Sequence, residues 1–271
     1  MQALKPTDIL VADLSQYQGL VNFTNFKAWG VQAVIVKATE GITYKDPEFA
    51  SHVSGAKAAG LPVGAYHFAH PDQNSADQEA AFFLSSIKGH ELALSPILDM
   101  ESGKLPAHTL VLWIKRFRQL VEAETGKRLV LYTGKWYADT VGDFENALSD
   151  MPLWVSYYVD ESKRAGTVLP DFGGWTDWAM WQWTDKGTVG GVTGPVDLSY
   201  ARSLDVISQS IPAPVSTPAP ATKQPTVVFG TTTIQGQFVD DKTYVPVREL
   251  ADALGLKVEW NQTNLTVTLT K

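Results

Sequence analysis

Short apolar runs that end in polar residues and glycine recur along the first two thirds of the chain. Ile9-Leu10-Val11-Ala12 leads into Asp13-Leu14-Ser15-Gln16-Tyr17-Gln18-Gly19. Ala33-Val34-Ile35-Val36 leads into Lys37-Ala38-Thr39-Glu40-Gly41, and Pro62-Val63-Gly64-Ala65 into Tyr66-His67-Phe68. Runs at 93–99, 128–134, 153–158, 179–184 and 194–198 bring the strand candidates to eight. Runs so short, apolar and β-branched read as buried strands. Helical patterns lie between them: 23–29 stopped by Gly30, 47–59 stopped by Gly60, 75–86 opening on Ser75, and 108–125 stopped by Gly126. In the last of these, Leu110, Ile114, Phe117 and Val121 recur at helical spacing. Alternating strands and helices predict an α/β fold, a modified (β/α)8-type barrel of parallel strands. Residues 136–149 form a broken helical pattern and 152–184 leave little room for helices, so the late helices should be weak or missing.

The pattern then changes. Residues 211–225 are rich in Pro, Ala, Ser and Thr and read as an extended linker. Behind it, 226–271 form a small α+β unit. Strands are expected around Gly230, a hairpin around Asp240-Asp241-Lys242, a helix from Val247 to Leu254 stopped by Gly255, and a hairpin around Asn261-Gln262-Thr263. The expected division is therefore a barrel over 1–210, a linker, and a unit of under 50 residues, too small to be robust alone.

Composition narrows the chemistry. The chain has 271 residues and no cysteine, which removes disulfides, thiolate metal sites and cysteine nucleophiles. A net charge of −7 argues against nucleic acid as partner. No stretch reaches the roughly 20 apolar residues of a membrane span, so no membrane insertion is expected. The first residues show no basic-then-apolar secretory leader, so synthesis in a host cytoplasm is expected, with release by another agent. Nine Trp and nine Tyr exceed ordinary core needs and suit a ligand groove.

Ser95-Pro96-Ile97-Leu98-Asp99-Met100-Glu101 ends an apolar run in two carboxylates. On a strand they share a face with Cα atoms roughly 6.5 Å apart, and carboxylates so close divide into an acid and a charged stabiliser. Taken alone, the pair is also what a fraying strand end looks like. Asp13 and Asp197 end two other strand candidates, and in a parallel barrel all four acids share one mouth. Carboxylates among Tyr and Trp suggest glycosidic bond cleavage. A divalent cation site is the weaker reading, because no accompanying ligand set is present, and no cofactor is called for. His67-x-x-His70 lacks a third ligand and reads as one pocket histidine and one loop histidine. There is no Gly-x-Ser-x-Gly elbow for a serine hydrolase.

Eight of these segments, in order, resemble glycoside hydrolase family 25, the Chalaropsis-type N-acetylmuramidases that include many phage endolysins: 13–19, 37–41, 64–68, 99–101, 132–134, 153–155, 181–183 and 194–197. The resemblance covers roughly residues 8–208. It implies a lysozyme that cuts the β-1,4 bond between N-acetylmuramic acid and N-acetylglucosamine in peptidoglycan. Glu101 resembles the family's general acid, Asp99 its partner, and Asp13 and Asp197 the other acids of the mouth. Tyr66, Phe68, Tyr132, Trp154 and Trp181 match groove positions. Ser156 departs from the family's more usual alanine, a small change. Two mechanisms stay open: attack by the substrate's own acetamido group with Asp99 orienting it, or inversion with Asp99 or Asp13 activating water. Phage members imply a holin partner. Residues 237–260 are similar to the copper-amine-oxidase N-terminal-like (stalk) domain, which implies no copper here; wall binding, a spacer and dimerisation are its readings. A catalytically silent wall-binding protein is the competing class for the whole chain.

Overall fold

A computed structural model of the protein describes residues 1–211, 226–229, 232–239, 242–261 and 266–271. The linker residues 212–225, Gly230, the Asp240-Asp241 turn and the Gln262-Thr263 turn lie outside the described residues. The chain divides into two compact units, Met1–Ala213 and Pro214–Lys271.

In the first unit the strands are β1 (Ile9–Leu14), β2 (Ala33–Glu40), β3 (Tyr44–Lys45), β4 (Val63–Phe68), β5 (Ile97–Asp99), β6 (Val130–Gly134), β7 (Leu153–Ser156), β8 (Met180–Gly187) and β9 (Val196–Ala201). All but β3 form a closed eight-stranded barrel in the order β1-β9-β8-β7-β6-β5-β4-β2, with β2 returning to β1. The helices are α1 (Phe23–Trp29), α2 (Phe49–Ala58), α3 (Ala76–Ile87), α4 (Ala107–Thr125), α5 (Lys135–Thr140) and α6 (Glu161–Arg164). Early helices carry the stop signals read from the sequence: α1 ends at Gly30 and α4 at Gly126, both at positive φ.

Two departures from the expected barrel have clear causes. Seven strands are parallel, but β9 runs antiparallel to both β8 and β1. The eight residues between β8 and β9 are too few for a parallel crossover, which needs a dozen or more. They fold as a hairpin connection instead. The fourth strand is only Ile97–Asp99, because Pro96 has no N–H to give a ladder and the Ser95 N–H is donated to the Ile207 carbonyl.

The late helices are short, as the sequence predicts: α5 has six residues and α6 four. Aromatic side chains take the place of missing helices outside β7 and β8. Trp178 and Trp181 lie 6.1 Å apart, and the Trp175 and Trp178 indoles donate to the carbonyls of Met151 and Gln2. Much of the chain's tryptophan is therefore structural. Inside the barrel, Val11, Ala33, Ile35, Ile97, Val130, Met180 and Ala201 form the plug on which the mouth is built.

The second unit pairs β10 (Thr226–Phe229) with β11 (Thr232–Gln235), β12 (Gln237–Val239) with β13 (Lys242–Tyr244), and β14 (Lys257–Asn261) with β15 (Thr266–Thr270). Helix α7 (Val247–Leu254) follows Pro246 and stops at Gly255, φ 69°. Ile234 and Ala251 are buried apolar side chains here.

Candidate active site

Alternation along the staves decides what reaches the barrel mouth. Asp13, Tyr66, Phe68, Asp99, Tyr132, Trp154, Gln182 and Asp197 all line one cavity of about 240 Å³, with Glu101 just beyond the end of β5. Leu14, Ser15, Tyr17, Gln18, Lys37 and Tyr158 complete its wall. Asp197 reaches it by a route the sequence reading did not foresee. It lies at the start of an antiparallel strand, not the end of a parallel one, and pairs directly with Asp13 across the β1–β9 ladder.

Two placements correct the sequence reading. Trp181 is fully buried on the outer face, donates its indole N–H to the Tyr157 carbonyl at 2.7 Å, and does not line the cavity. Its neighbour Gln182 faces inward instead. His67 also points outward: it lies between Thr39 Oγ1 and Glu79 Oε2, each at 2.8 Å, stacked 5.3 Å from Phe117. Tyr66 and Phe68 take the inward places on either side of it. His70 is a loop residue, with Nε2 donating to Glu40 Oε1 at 3.0 Å. Gln182 and Tyr158 carry much of the geometry but were missed. The signal for Gln182 was a polar residue inside the run Met180-Trp181-Gln182-Trp183, where an otherwise apolar strand meets the mouth.

Gln182 is the hub of the acidic wall. Its Nε2 donates to Asp13 Oδ2 at 3.1 Å and Asp197 Oδ2 at 3.3 Å, and its Oε1 accepts from Tyr132 at 2.8 Å and Tyr158 at 3.0 Å. The Trp154 indole donates to Ser199 Oγ at 3.0 Å and turns edge-on to Tyr132. Asp99 differs from the others. Its Oδ1 is buried and meets no hydrogen-bond donor among the described residues.

Four carboxyls cannot all ionise cheaply in so small a space. Burial pushes Asp13 well above the usual carboxylate range, and the Asp197 charge adds to it. Burial does the same to Asp99, with the Glu101 charge adding and Lys37 opposing. Glu101 is raised by burial and then by Asp197. Asp197 is pushed up to about 6 by burial and by Asp185. Burial also holds Tyr66 and Tyr132 well above their ordinary range, so they remain neutral donors. The mouth thus keeps its protons to higher pH than separate carboxyls would, the direction an acid catalyst requires.

A raised acid favours folding below its unfolded pKa, and that advantage is lost as pH rises through the folded value. Asp197→Asn is therefore expected to stabilise the barrel by on the order of 1 kcal/mol at pH 7, with the gain shrinking as the pH falls through about 6 and gone below about pH 4. Thermal melts across that range check it; a gain independent of pH would contradict it.

Among the described residues, no group of three or more His, Asp or Glu is arranged to hold a metal ion. No helix among them is long and apolar enough to cross a membrane.

Residues 12–192 match the family model described as glycosyl hydrolases family 25. The chain belongs to this family. Residues 225–271 match a second model, the copper amine oxidase N-terminal domain. The chain is 34% identical over 196 residues to Lysozyme M1 of Streptomyces globisporus, covering 68% of itself and 65% of that protein. It is 33% identical over 203 residues to the N,O-diacetylmuramidase of Chalaropsis sp, covering 68% of itself and 94% of that relative. In structure it resembles the Clostridium perfringens spore cortex lytic enzyme SleM at TM-score 0.70 and 32% identity, over 76% of this chain and 71% of that one. As a family 25 member, the chain is a glycoside hydrolase.

Proposed function

We propose that the protein is a peptidoglycan muramidase in which Glu101 protonates the leaving oxygen and Asp99 serves the reacting sugar. The observation that carries this reading is the pairing of two differently placed carboxyls at one mouth. Glu101 is partly exposed where the cavity opens, and Asp99 is buried with an oxygen facing no donor among the described residues. An amide N–H is the partner such an oxygen lacks, and every sugar of this glycan carries an acetamido group. Asp99 therefore suits the task of orienting that group as an internal nucleophile. Glu101 then acts first as acid and next as base toward water. Tyr66, Phe68, Tyr132 and Trp154 supply the aromatic wall against which pyranose rings pack.

A second cavity continues outward from Glu101 and Tyr158 past Trp136 and Tyr157. Trp136 and Tyr158 are each more than half exposed. A glycan threading past both sides of Glu101 favours cleavage within a polymer over trimming from its end. The setting we infer is a phage or prophage endolysin acting on a Gram-positive wall after holin-dependent release; a catalytic barrel joined to a small second unit supports it. For residues 226–271 we infer wall binding, tested by whether the full chain, but not residues 1–211, is retained on purified walls. Clearing of a turbid Gram-positive wall suspension tests the enzymatic reading. An inert suspension would favour a silent wall-binding protein.

A further inference from the structure

Strand β2 contains an irregularity at the mouth. Lys37 pairs with Tyr66, but the next pairings are Thr39 with His67 and Glu40 with Phe68, so Ala38 is an extra residue. In a regular strand, residues three apart point to opposite faces. The bulge reverses that parity. Thr39 turns outward to His67, and Glu40 turns to the same side as Lys37. The result is an ion pair that an unbroken strand could not make: Lys37 Nζ to Glu40 Oε2 at 2.6 Å. Glu40 is held in turn by His70 Nε2 at 3.0 Å, and His70 Nδ1 lies 3.3 Å from Ser102 Oγ, the residue after Glu101. The Lys37 ammonium sits 5.0 Å from the centre of the Phe68 ring and lines the cavity, with its side chain 13% exposed.

We propose that the bulge makes Lys37 a positioning residue for the reaction: anchored through Glu40 and His70, its ammonium is fixed in the same cavity as Asp99 and Glu101 and favours the accepting form of Asp99. The charged and titratable groups around it are Glu40 on its own strand, Tyr44 on β3, Tyr66 on β4, His70 after β4, Asp99 and Glu101 at β5, Asp13 on β1, Asp197 on β9 and Tyr132 on β6. Lys37 opposes the upward push on both Asp99 and Glu101, whereas most of its neighbours add to it. Asp99 must be ionised and Glu101 protonated. The ammonium therefore sets the acid limb of the activity profile through Asp99 and the basic limb through Glu101.

The inference rests on the muramidase reading, and the test separates the two. Clearing rates of purified walls are measured from pH 3 to 9 for the wild type, Lys37→Met and Lys37→Arg, with thermal melts alongside. Lys37→Met should move both limbs upward by about one pH unit and lose about tenfold in rate on the acid side. Lys37→Arg should return both limbs to their wild-type positions. Should Lys37→Met fail to melt cooperatively, Lys37→Gln carries the same test. An active wild type whose profile is unmoved in the neutral variant overturns the role of Lys37 alone; an inactive wild type takes the muramidase reading down with it.

Discussion

Glu101→Gln is expected to slow wall clearing by about 10³-fold, the scale of a lost general acid. The expectation follows from position as well as type. Glu101 lies just beyond the last residue of β5 and borders both the acidic cavity and the outer aromatic one. It is the one carboxyl shared by the two, where a bond in a bound glycan would cross. Glutamine keeps the volume and cannot give up a proton. Because burial and Asp197 already press Glu101 toward its neutral form, a neutral isostere should leave the melting temperature unchanged or slightly higher. A variant that clears walls at the wild-type rate, or one that no longer folds, would each contradict this assignment.

Asp99→Asn is the second large effect, a loss of about 10²- to 10³-fold. Here the argument is electrostatic. Positive charge develops at the anomeric carbon and on the acetamido nitrogen as that group attacks, and Asp99 is the carboxylate placed to meet it. Asparagine keeps one acceptor oxygen but no charge, and its amide also presents a donor where an acceptor is required. The loss should fall mainly on kcat, since the developing charge belongs to the transition state. Proton NMR of the fresh product should show the β-anomer first, because acetamido participation followed by water gives net retention. An initial α-anomer would overturn the assisted mechanism in favour of inversion.

Much of this site was legible because several strand ends independently carried acids. Asp13, Asp99 and Asp197 follow or interrupt apolar runs, and closing the runs into a barrel brings them together. What the sequence hid was direction and parity. An antiparallel β9 places Asp197 at the same mouth as a parallel strand would, so the acid gave no clue to the strand's direction; only the short connection from β8 did. Trp181 looked like a groove aromatic, yet both faces of a barrel stave are apolar, and alternation in so short a run has no anchor. Gln182, the polar exception, marked the inward face. The bulge at Ala38 is invisible in Lys37-Ala38-Thr39-Glu40 because it depends on pairing with β4. The surplus of tryptophan divided between groove and scaffold: Trp154 lines the cavity, while Trp175, Trp178 and Trp181 stand in for helices the chain does not have.

The central claim concerns which bond is cut and by which residue. Purified peptidoglycan digested with the full chain, reduced with borohydride and hydrolysed, reports the new chain ends directly. Reduced muramic acid should accumulate with the wild type and be nearly absent with Glu101→Gln. Reduced glucosamine, or new peptide ends without reduced sugar, would contradict the account.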